Sequence, residues 1–309
     1  MSFEEQLAFA APSKRALVTV GVFDGVHLGH QRLIAELTGS AKKQGLTSIV
    51  ITFKQHPQNL LQPGQATPFL TSLPAKICLL KKLDVDTVIP LDFTFELAQI
   101  GFQDFVMNLR KHLKMRGLVV GPDFALGRDR QGNIETLRRL KSGLDFSINV
   151  VPPVFLNGEP VSSTAIRNAL ASGDIIKANM MLGRPFSLEG SVIRGSGRGE
   201  DFGFPTANLD IDPGQALPQD GVYATLCYTG KLALPSATYI GTRPTFGETE
   251  RVVETHIMGF AGDLYRRQIK IDIISRLRGD IKFASDDSLI KQMKKDVSEA
   301  EKLLGTGES

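Results

Sequence analysis

Short apolar runs alternate with segments of helical spacing from residue 16 to residue 182. The run ALVTV at 16–20 predicts a buried strand, and apolar spacing over 31–37 predicts a helix. The pattern continues through strands predicted at 48–53, 87–90, 117–120 and 147–151 and helices predicted at 74–83, 101–114 and 133–141. This alternation of strand and helix predicts an open parallel sheet, the α/β class.

The pattern changes after residue 183 to short β-rich runs without intervening helices. Strands are predicted at 188–194, 221–228, 237–241, 252–260 and 268–277, and the turns between them carry Gly and Pro. Closely spaced strands of this kind predict a small antiparallel barrel, and Ser285 precedes an amphipathic last helix. The sequence therefore predicts two domains, 1–182 and 183–309, which suits a chain of 309 residues.

Composition narrows the class of protein only slightly. A net charge of +3 is too mild to imply nucleic acid, and no apolar run approaches the roughly 18 to 20 residues that span a bilayer. Cys78 and Cys227 are far apart, which predicts free, buried thiols in a reducing cytoplasm. We expect a cytoplasmic protein with small-molecule substrates, as a monomer or weak homo-oligomer, and no nucleic-acid or membrane partner.

The stretch GVFDGVHLGH at 21–30 sets two histidines three residues apart at a predicted junction between strand and helix. A helix N-terminus stabilises anions, and imidazoles with a pKa of about 6.5 add directed hydrogen bonds to a phosphate. The alternatives are that His27 caps a turn while His30 packs on the helix, or that both bind a metal. Zinc pairs on helices usually have i,i+4 spacing, so we favour phosphate binding.

Three more groups of polar residues follow predicted strands of the first domain, where ligands bind in open sheets. His56 follows one strand, Asp123 follows another, and SSTAIR at 162–167 opens a helix. Such a set suits attack on the α-phosphorus of ATP with loss of pyrophosphate, where catalysis is mostly positioning and charge neutralisation. Taken alone, Ser163 or Thr164 as a helix cap and Asp123 as an Asx-turn residue remain open.

The second domain carries two candidate elements for a phosphate or metal site. The loop RGSGRG at 194–199 precedes GFPTAN at 203–208, in which Thr206 and Asn208 offer the hard oxygen ligands that suit Mg²⁺. Alternation places Glu254 and His256 on one strand face, which then carries a potential base. A linker or an Arg-Gly contact to nucleic acid, and a solvated strand face, are the alternatives.

Together these motifs resemble one protein family along most of the chain. GVFDGVHLGH, TFKQHP, VVGPDF, SSTAIR and LGRPF resemble the FMN adenylyltransferase module of bacterial bifunctional riboflavin kinase/FAD synthetases over residues 16–186. GFPTANL, DGVYAT, IGTRPTF and VETHIMGF resemble the riboflavin kinase module over 187–304. The resemblance implies a Rossmann-like nucleotidyltransferase domain, a six-stranded barrel with a terminal helix, and Mg²⁺ and ATP in forming FMN and FAD from riboflavin.

The resemblance also implies roles for individual residues. His27, His30 and Arg167 would stabilise transition-state charge, and Glu254 would be the base for the riboflavin 5′-hydroxyl. Mg²⁺ would be held by Thr206 and Asn208 in one domain and by Asp123 in the other. Nucleotide or flavin contacts are implied for Gly21, Phe23, Asp24, His56, Asp123, Ser163, Thr164, Gly195, Arg198, Gly203 and Pro205.

The sequence departs from the family pattern at three places. Gln55 stands where a proline is frequent, Ala125 and Leu126 stand where an arginine and a phenylalanine are frequent, and Arg266 replaces a frequent glycine. We expect weaker phosphate contacts near Ala125 and a local structural effect at Arg266. The hypotheses that compete with a two-step flavin enzyme are a binding regulator with decayed catalysis and an adenylyltransferase with an RNA-binding barrel.

Overall fold

The computed structural model describes residues 1–62, 64, 66–141, 143–195, 198–230, 232–242 and 251–305. The chain forms two compact units, residues 1–163 and 164–309. This division falls at the start of a helix, ahead of the predicted domain boundary at residue 182.

The first unit contains a five-stranded parallel sheet and seven α-helices among its described residues. The helices are α1 (Phe3–Phe9), α2 (Leu28–Gln44), α3 (Pro57–Leu61), α4 (Leu73–Lys81), α5 (Phe95–Gln99), α6 (Phe102–Leu113) and α7 (Ile134–Lys141). The strands are β1 (Ala16–Val20), β2 (Thr47–Phe53), β3 (Thr87–Leu91), β4 (Met115–Val120) and β7 (Ser147–Val150), with short hairpins β5 (Ala125–Leu126) with β6 (Gly132–Asn133) and β8 (Phe155–Leu156) with β9 (Glu159–Pro160). The sheet order is β3-β2-β1-β4-β7.

Both faces of this sheet are covered, which explains why its central strands are buried along most of their length. All five residues of β1 are buried. Val18 belongs to the cluster that contains Leu109 of α6, whereas Leu17 belongs to the cluster that contains Ile34 and Leu37 of α2. The chain order reverses direction at β1, between β2 and β4, so the carboxyl ends of these strands frame the crevice where such sheets bind ligands.

The second unit is a closed antiparallel barrel. In the described part of the sequence, two helices precede its first strand and one helix follows its last strand. Its elements are α8 (Ser163–Ala171), which begins on the last residue of the first unit, α9 (Ile175–Leu182), β10 (Phe186–Ile193), α10 (Arg198–Asp201), β11 (Ala207–Ile211), β12 (Gly221–Thr229), β13 (Leu232–Thr242), β14 (Arg251–Ile257), β15 (Gln268–Gly279) and α11 (Asp286–Leu304). The barrel closes in the order β10-β11-β14-β13-β12-β15.

The barrel interior carries a network of hydroxyl groups. Thr225 lies 2.7 Å from both Ser236 and Thr238 (Oγ to Oγ), and the Thr238 hydroxyl donates to Thr255 at 2.9 Å. These side chains are fully buried. Their strand neighbours Ala224 and Ala237 face the other way, against α11. The network therefore satisfies polar groups inside the barrel, as buried hydroxyls require.

The predicted fold class, a parallel-sheet domain followed by a six-stranded barrel with a terminal helix, is confirmed. The predicted bounds of β1 coincide with the observed ones. One prediction is wrong: Cys227 is buried as expected but Cys78 is exposed, because it lies on the solvent side of α4. The acidic N-terminus forms a helix, in which the Ser2 side chain and Glu5 make a capping box.

Candidate functional site

The connection from β1 to α2 is a tight turn that brings both predicted histidines to the start of a helix. Its backbone has positive φ at Phe23 (51°), Gly25 (80°) and Val26 (39°). Left-handed conformations at residues other than glycine store strain and cluster at functional sites. His27 is the N-cap of α2, and its Nδ1 accepts a hydrogen bond from the His30 backbone N–H at 3.3 Å.

The two imidazoles are stacked, with ring centroids 3.6 Å apart and planes 18° from parallel. Since His27 Nδ1 accepts a hydrogen bond, the neutral ring carries its proton on Nε2. Burial lowers the pKa of His30 well below its usual value, and the electrostatic effects of His27 and Lys76 lower it further. His30 is therefore neutral at pH 7.

Asp24 holds the turn rather than facing solvent. Its carboxylate accepts hydrogen bonds from the backbone N–H groups of Leu70 (2.9 Å) and Thr71 (3.2 Å), and it is 5% exposed. The Ser163 hydroxyl donates to the Asp24 carbonyl oxygen at 2.9 Å. Two motifs that lie 139 residues apart in sequence are thus joined at this turn.

Lys76, on α4, is a buried cation that the sequence analysis missed. Its Nζ donates to the carbonyl oxygens of Val22 (3.1 Å) and Phe53 (2.9 Å), at the carboxyl ends of β1 and β2. Burial lowers its pKa to about 8, against an opposing effect of Asp24. A lysine within an apolar helical pattern is ordinarily interpreted as solvent-exposed. Only its hydrogen bonds to residues distant in the sequence show that Lys76 belongs to this turn.

The other residues predicted from the motifs of the first domain occupy different settings. His56 caps α3, with its Nδ1 accepting from the Gln58 backbone N–H at 3.3 Å. Asp123 is exposed in the loop after β4, and its carbonyl oxygen accepts from Arg130 at 3.2 Å. Thr164 and Arg167 lie in α8 within the second unit.

In the second unit, the barrel brings the predicted metal and base residues side by side. Asn208 on β11 pairs directly with Glu254 on β14, so their side chains share one face of the sheet. Thr206 precedes β11 by one residue, and His256 Nδ1 lies 2.9 Å from the Pro205 carbonyl oxygen. Glu254 and His256 thus share a strand face with Asn208, opposite the buried Thr255.

Glycines allow the loop before β11 to approach these residues. A Cβ at Gly195 would overlap the Asn208 side-chain amide, and a Cβ at Gly199 would lie 3.1 Å from the Thr206 hydroxyl. Gly203 has a φ of 80°, which favours glycine. This loop therefore covers the oxygen atoms of Thr206 and Asn208 closely.

Some predicted features lie outside the described residues. These are Ser196 and Gly197, the side chain of Arg198, and the segment 243–246 of the IGTRPTF motif. Arg266, which replaces a frequent glycine, adopts a φ of 63° and lies over the Tyr265 ring at 5.2 Å. The local structural effect expected there corresponds to a left-handed arginine.

The described residues show neither a preformed metal cluster nor a membrane-spanning helix. They contain no group of three or more His, Cys, Asp or Glu side chains arranged to hold a metal ion. Thr206 and Asn208 offer only two oxygen donors, which suits Mg²⁺ because that ion usually keeps waters and substrate phosphates as further ligands. Across the same residues, no helix combines the length and apolarity needed to cross a membrane.

The fold and the two sites define a chain that joins a nucleotidyl-transferring parallel-sheet module to a small barrel module for phosphate transfer. A family model described as FAD synthetase matches residues 10–165, and one described as riboflavin kinase matches residues 182–304. The chain belongs to the bifunctional riboflavin kinase/FMN adenylyltransferase family. It phosphorylates riboflavin to FMN and adenylates FMN to FAD, with ATP as co-substrate.

Relatives from several bacteria match nearly the whole chain. Bifunctional riboflavin kinase/FMN adenylyltransferases from Escherichia coli K12 and Listeria monocytogenes are 35% and 33% identical, over 96% and 91% of this chain and 95% and 90% of theirs. A crystal structure described as a macrolide-efflux protein from Streptococcus pneumoniae is 30% identical, with a TM-score of 0.87, covering 94% of this chain and 95% of that one. These matches give no support to the regulator and RNA-binding hypotheses.

Proposed function

We propose that FMN adenylylation takes place at the start of α2, with His27 and His30 stabilising the pyrophosphate that leaves ATP. The observation that carries this proposal is the stacked histidine pair at a helix N-terminus. The first backbone N–H groups of a helix have no partner within it, and the helix dipole adds positive potential there. An anion is thus stabilised before either ring contributes.

The neutral state of His30 suits the charge that develops during the reaction. As the FMN phosphate attacks the α-phosphorus of ATP, negative charge builds on the leaving pyrophosphate. The His27 ring offers an Nε2–H donor in its fixed tautomer. Such preorganised donors strengthen their hydrogen bonds as charge develops, which is how they lower the barrier.

We assign supporting roles to the remaining residues of the adenylyltransferase motifs. Ser163 and Asp24 hold the turn through their hydrogen bond. Gly21 and Phe23 shape the approach of the nucleotide, whereas His56, Asp123, Thr164 and Arg167 keep the roles that the motifs imply. Asp123 is exposed after β4 and is available to Mg²⁺ or substrate.

In the barrel, we propose that Glu254 accepts the proton of the riboflavin 5′-hydroxyl as it attacks the γ-phosphate of ATP. Support comes from its direct pairing with Asn208, since a base beside the metal ligand lies where the phosphate must bind. Mg²⁺, held by Thr206 and Asn208, would neutralise phosphate charge. Gly195, Arg198, Gly203 and Pro205 belong to the loop that wraps the nucleotide.

We further propose that the functional domains are 1–182 and 183–309, in a cytoplasmic protein that is monomeric or weakly associated and binds neither nucleic acid nor membrane. One family match ends at residue 165 and the other begins at residue 182, which supports this boundary. The net charge of +3 supports the absence of a nucleic-acid partner.

Two variants of the full chain test the separation of the sites. Glu254→Gln should lower FMN formation from riboflavin by at least about a hundredfold, as loss of a general base does, while FAD synthesis from supplied FMN continues. The double variant His27→Ala/His30→Ala should stop FAD synthesis while FMN accumulates. Chromatography of both flavins measures each step in one assay.

Glu189→Gln is a matched control, because Glu189 is an exposed glutamate on strand β10 of the same barrel. It should leave both steps unchanged. Loss of both activities in either active-site variant would contradict two separate sites, and full activity of Glu254→Gln would remove Glu254 as the base.

A further inference from the structure

The placement of Lys76 is unfavourable for the helix that carries it. Lys76 is the fourth residue of α4, close to the positive end of the helix dipole, where a cation is disfavoured. It is also 6% exposed, and lysines are almost never buried unless they are paired. Stabilisation of α4 therefore does not explain the position of Lys76. The explanation has to lie in the hydrogen-bond partners of its side chain.

Those partners are backbone atoms of the two strand ends that frame the crevice. The Lys76 ammonium joins the carbonyl oxygen of Val22, in the turn after β1, to that of Phe53, the last residue of β2. The Thr52 hydroxyl donates to the same Val22 oxygen at 2.9 Å. Val22 is thus held from both β2 and α4, directly before Phe23 and Asp24.

The residues that lead into α4 hold the same turn. Leu70 and Thr71 donate their backbone N–H groups to Asp24, and the Thr71 hydroxyl accepts from the Gly25 N–H at 3.2 Å. Lys76 adds a cation to this set. The charge of Lys76 also affects the histidine pair, because it contributes to the lowered pKa of His30.

We propose that Lys76 is a positioning residue for FMN adenylylation. Its ammonium fixes the turn from Val22 to His27 against the end of β2 and holds a positive charge close to the histidine pair. This inference rests on the proposed roles of His27 and His30. The groups that act on the charge of His30 are then His27, stacked on it, and Lys76 from α4, whose own pKa is lowered by burial and raised by Asp24 from the turn.

Lys76→Met in the full chain tests this role, since it keeps the length of the side chain and removes the charge and the donors. We expect kcat for FAD synthesis from FMN to fall at least tenfold, with riboflavin phosphorylation by the same chain unchanged. Lys76→Arg, which retains charge and donors, should recover part of the rate. NMR titration of the His30 ring should show a higher pKa in Lys76→Met than in the wild type.

Lys81→Met is the matched control, because Lys81 lies on the same helix and also donates to two backbone carbonyl oxygens, those of Val85 and Asp86. It should change neither the rate nor the His30 titration. A Lys76→Met rate within twofold of the control, or an unchanged His30 pKa, would overturn the proposal. If Lys76→Met does not fold, Lys76→Gln and Lys76→Arg replace it, and equal rates in those two would overturn the proposal.

The double histidine variant separates this inference from the function on which it rests. If that variant retains FAD synthesis, the proposed site is wrong irrespective of Lys76. If it loses FAD synthesis while Lys76→Met keeps it, only the role of Lys76 is wrong.

Discussion

Gly29 gives the sharpest test of how the histidine pair is positioned. It is the second residue of α2, and a Cβ there would lie 3.1 Å from His27 Cε1, 3.2 Å from His27 Nδ1 and 3.5 Å from the Val161 carbonyl oxygen. The first two distances are shorter than ordinary contacts. Because a packed interior leaves little free space, Gly29→Ala should displace the His27 ring by a few tenths of an ångström.

Two opposing effects determine how Gly29→Ala changes the free energy of unfolding. Alanine in place of glycine stabilises a helix by about 0.5–1 kcal/mol. The His27 cap bond is already 3.3 Å long, so displacing the ring breaks it, and loss of an N-cap costs about 1 kcal/mol. The two effects cancel, and we expect Gly29→Ala to leave the free energy of unfolding nearly unchanged.

Activity should respond more strongly than stability. Misplacement of a catalytic group by about 1 Å costs on the order of a hundredfold in rate, so a smaller displacement of the stacked rings should lower kcat for FAD synthesis by roughly tenfold. Riboflavin phosphorylation by the same chain should not change. Flavin chromatography gives both rates, and urea unfolding of the full chain gives the stability.

Gly39→Ala is the control, because Gly39 lies in the same helix and a Cβ there meets nothing within 4 Å. It should gain the full stabilisation of about 1 kcal/mol and keep both activities. Displacement of the His27 ring would be contradicted if Gly29→Ala were as stabilising as Gly39→Ala, or if it synthesised FAD at the wild-type rate.

Two further predictions concern the barrel loop and the buried lysine. Gly195→Ala should lower FMN formation at least tenfold, because its Cβ would overlap the Asn208 amide, whereas FAD synthesis from supplied FMN should persist; flavin chromatography would show equal FMN yields if this were wrong. The folded pKa of Lys76, about 8, is below its unfolded value of 10.5, so between these the unfolded chain binds more protons and stability rises with pH. Urea unfolding should show the wild type gaining on Lys76→Met across that window, on the order of 1 kcal/mol per pH unit, and a parallel pH course in both would contradict the burial of a charged lysine.

The elements with a strong local pattern could be predicted from the sequence. The apolar run of β1 and the capped, acidic start of α11 are local signals, and both were placed correctly. Strand β11 was missed because Asn208 and Asp210 interrupt its apolar pattern. That strand is defined by pairing with β10 and β14, which lie on both sides of it in the sheet but apart from it in sequence.

The same distinction between local patterns and long-range contacts applies to the candidate site. Motif spacing made His27, His30 and Glu254 candidates, but the pairing of Asn208 with Glu254 and the contacts of Lys76 join residues separated by tens of positions. No periodicity records such contacts. The exposed Cys78 shows the converse error, in which a residue type that is usually buried was assigned by its average behaviour.

Capping and phosphate binding by His27 are alternatives at the level of the sequence, but the capping observed in the structure is compatible with the proposed phosphate binding. Because Nδ1 accepts the His30 N–H, the ring has a fixed orientation and its proton lies on Nε2. The same orientation stacks it on His30, whose lowered pKa keeps the pair from carrying two charges. A histidine without the cap would rotate and exchange tautomers. The structural role of His27 as a cap therefore orients the Nε2–H donor that its proposed catalytic role requires.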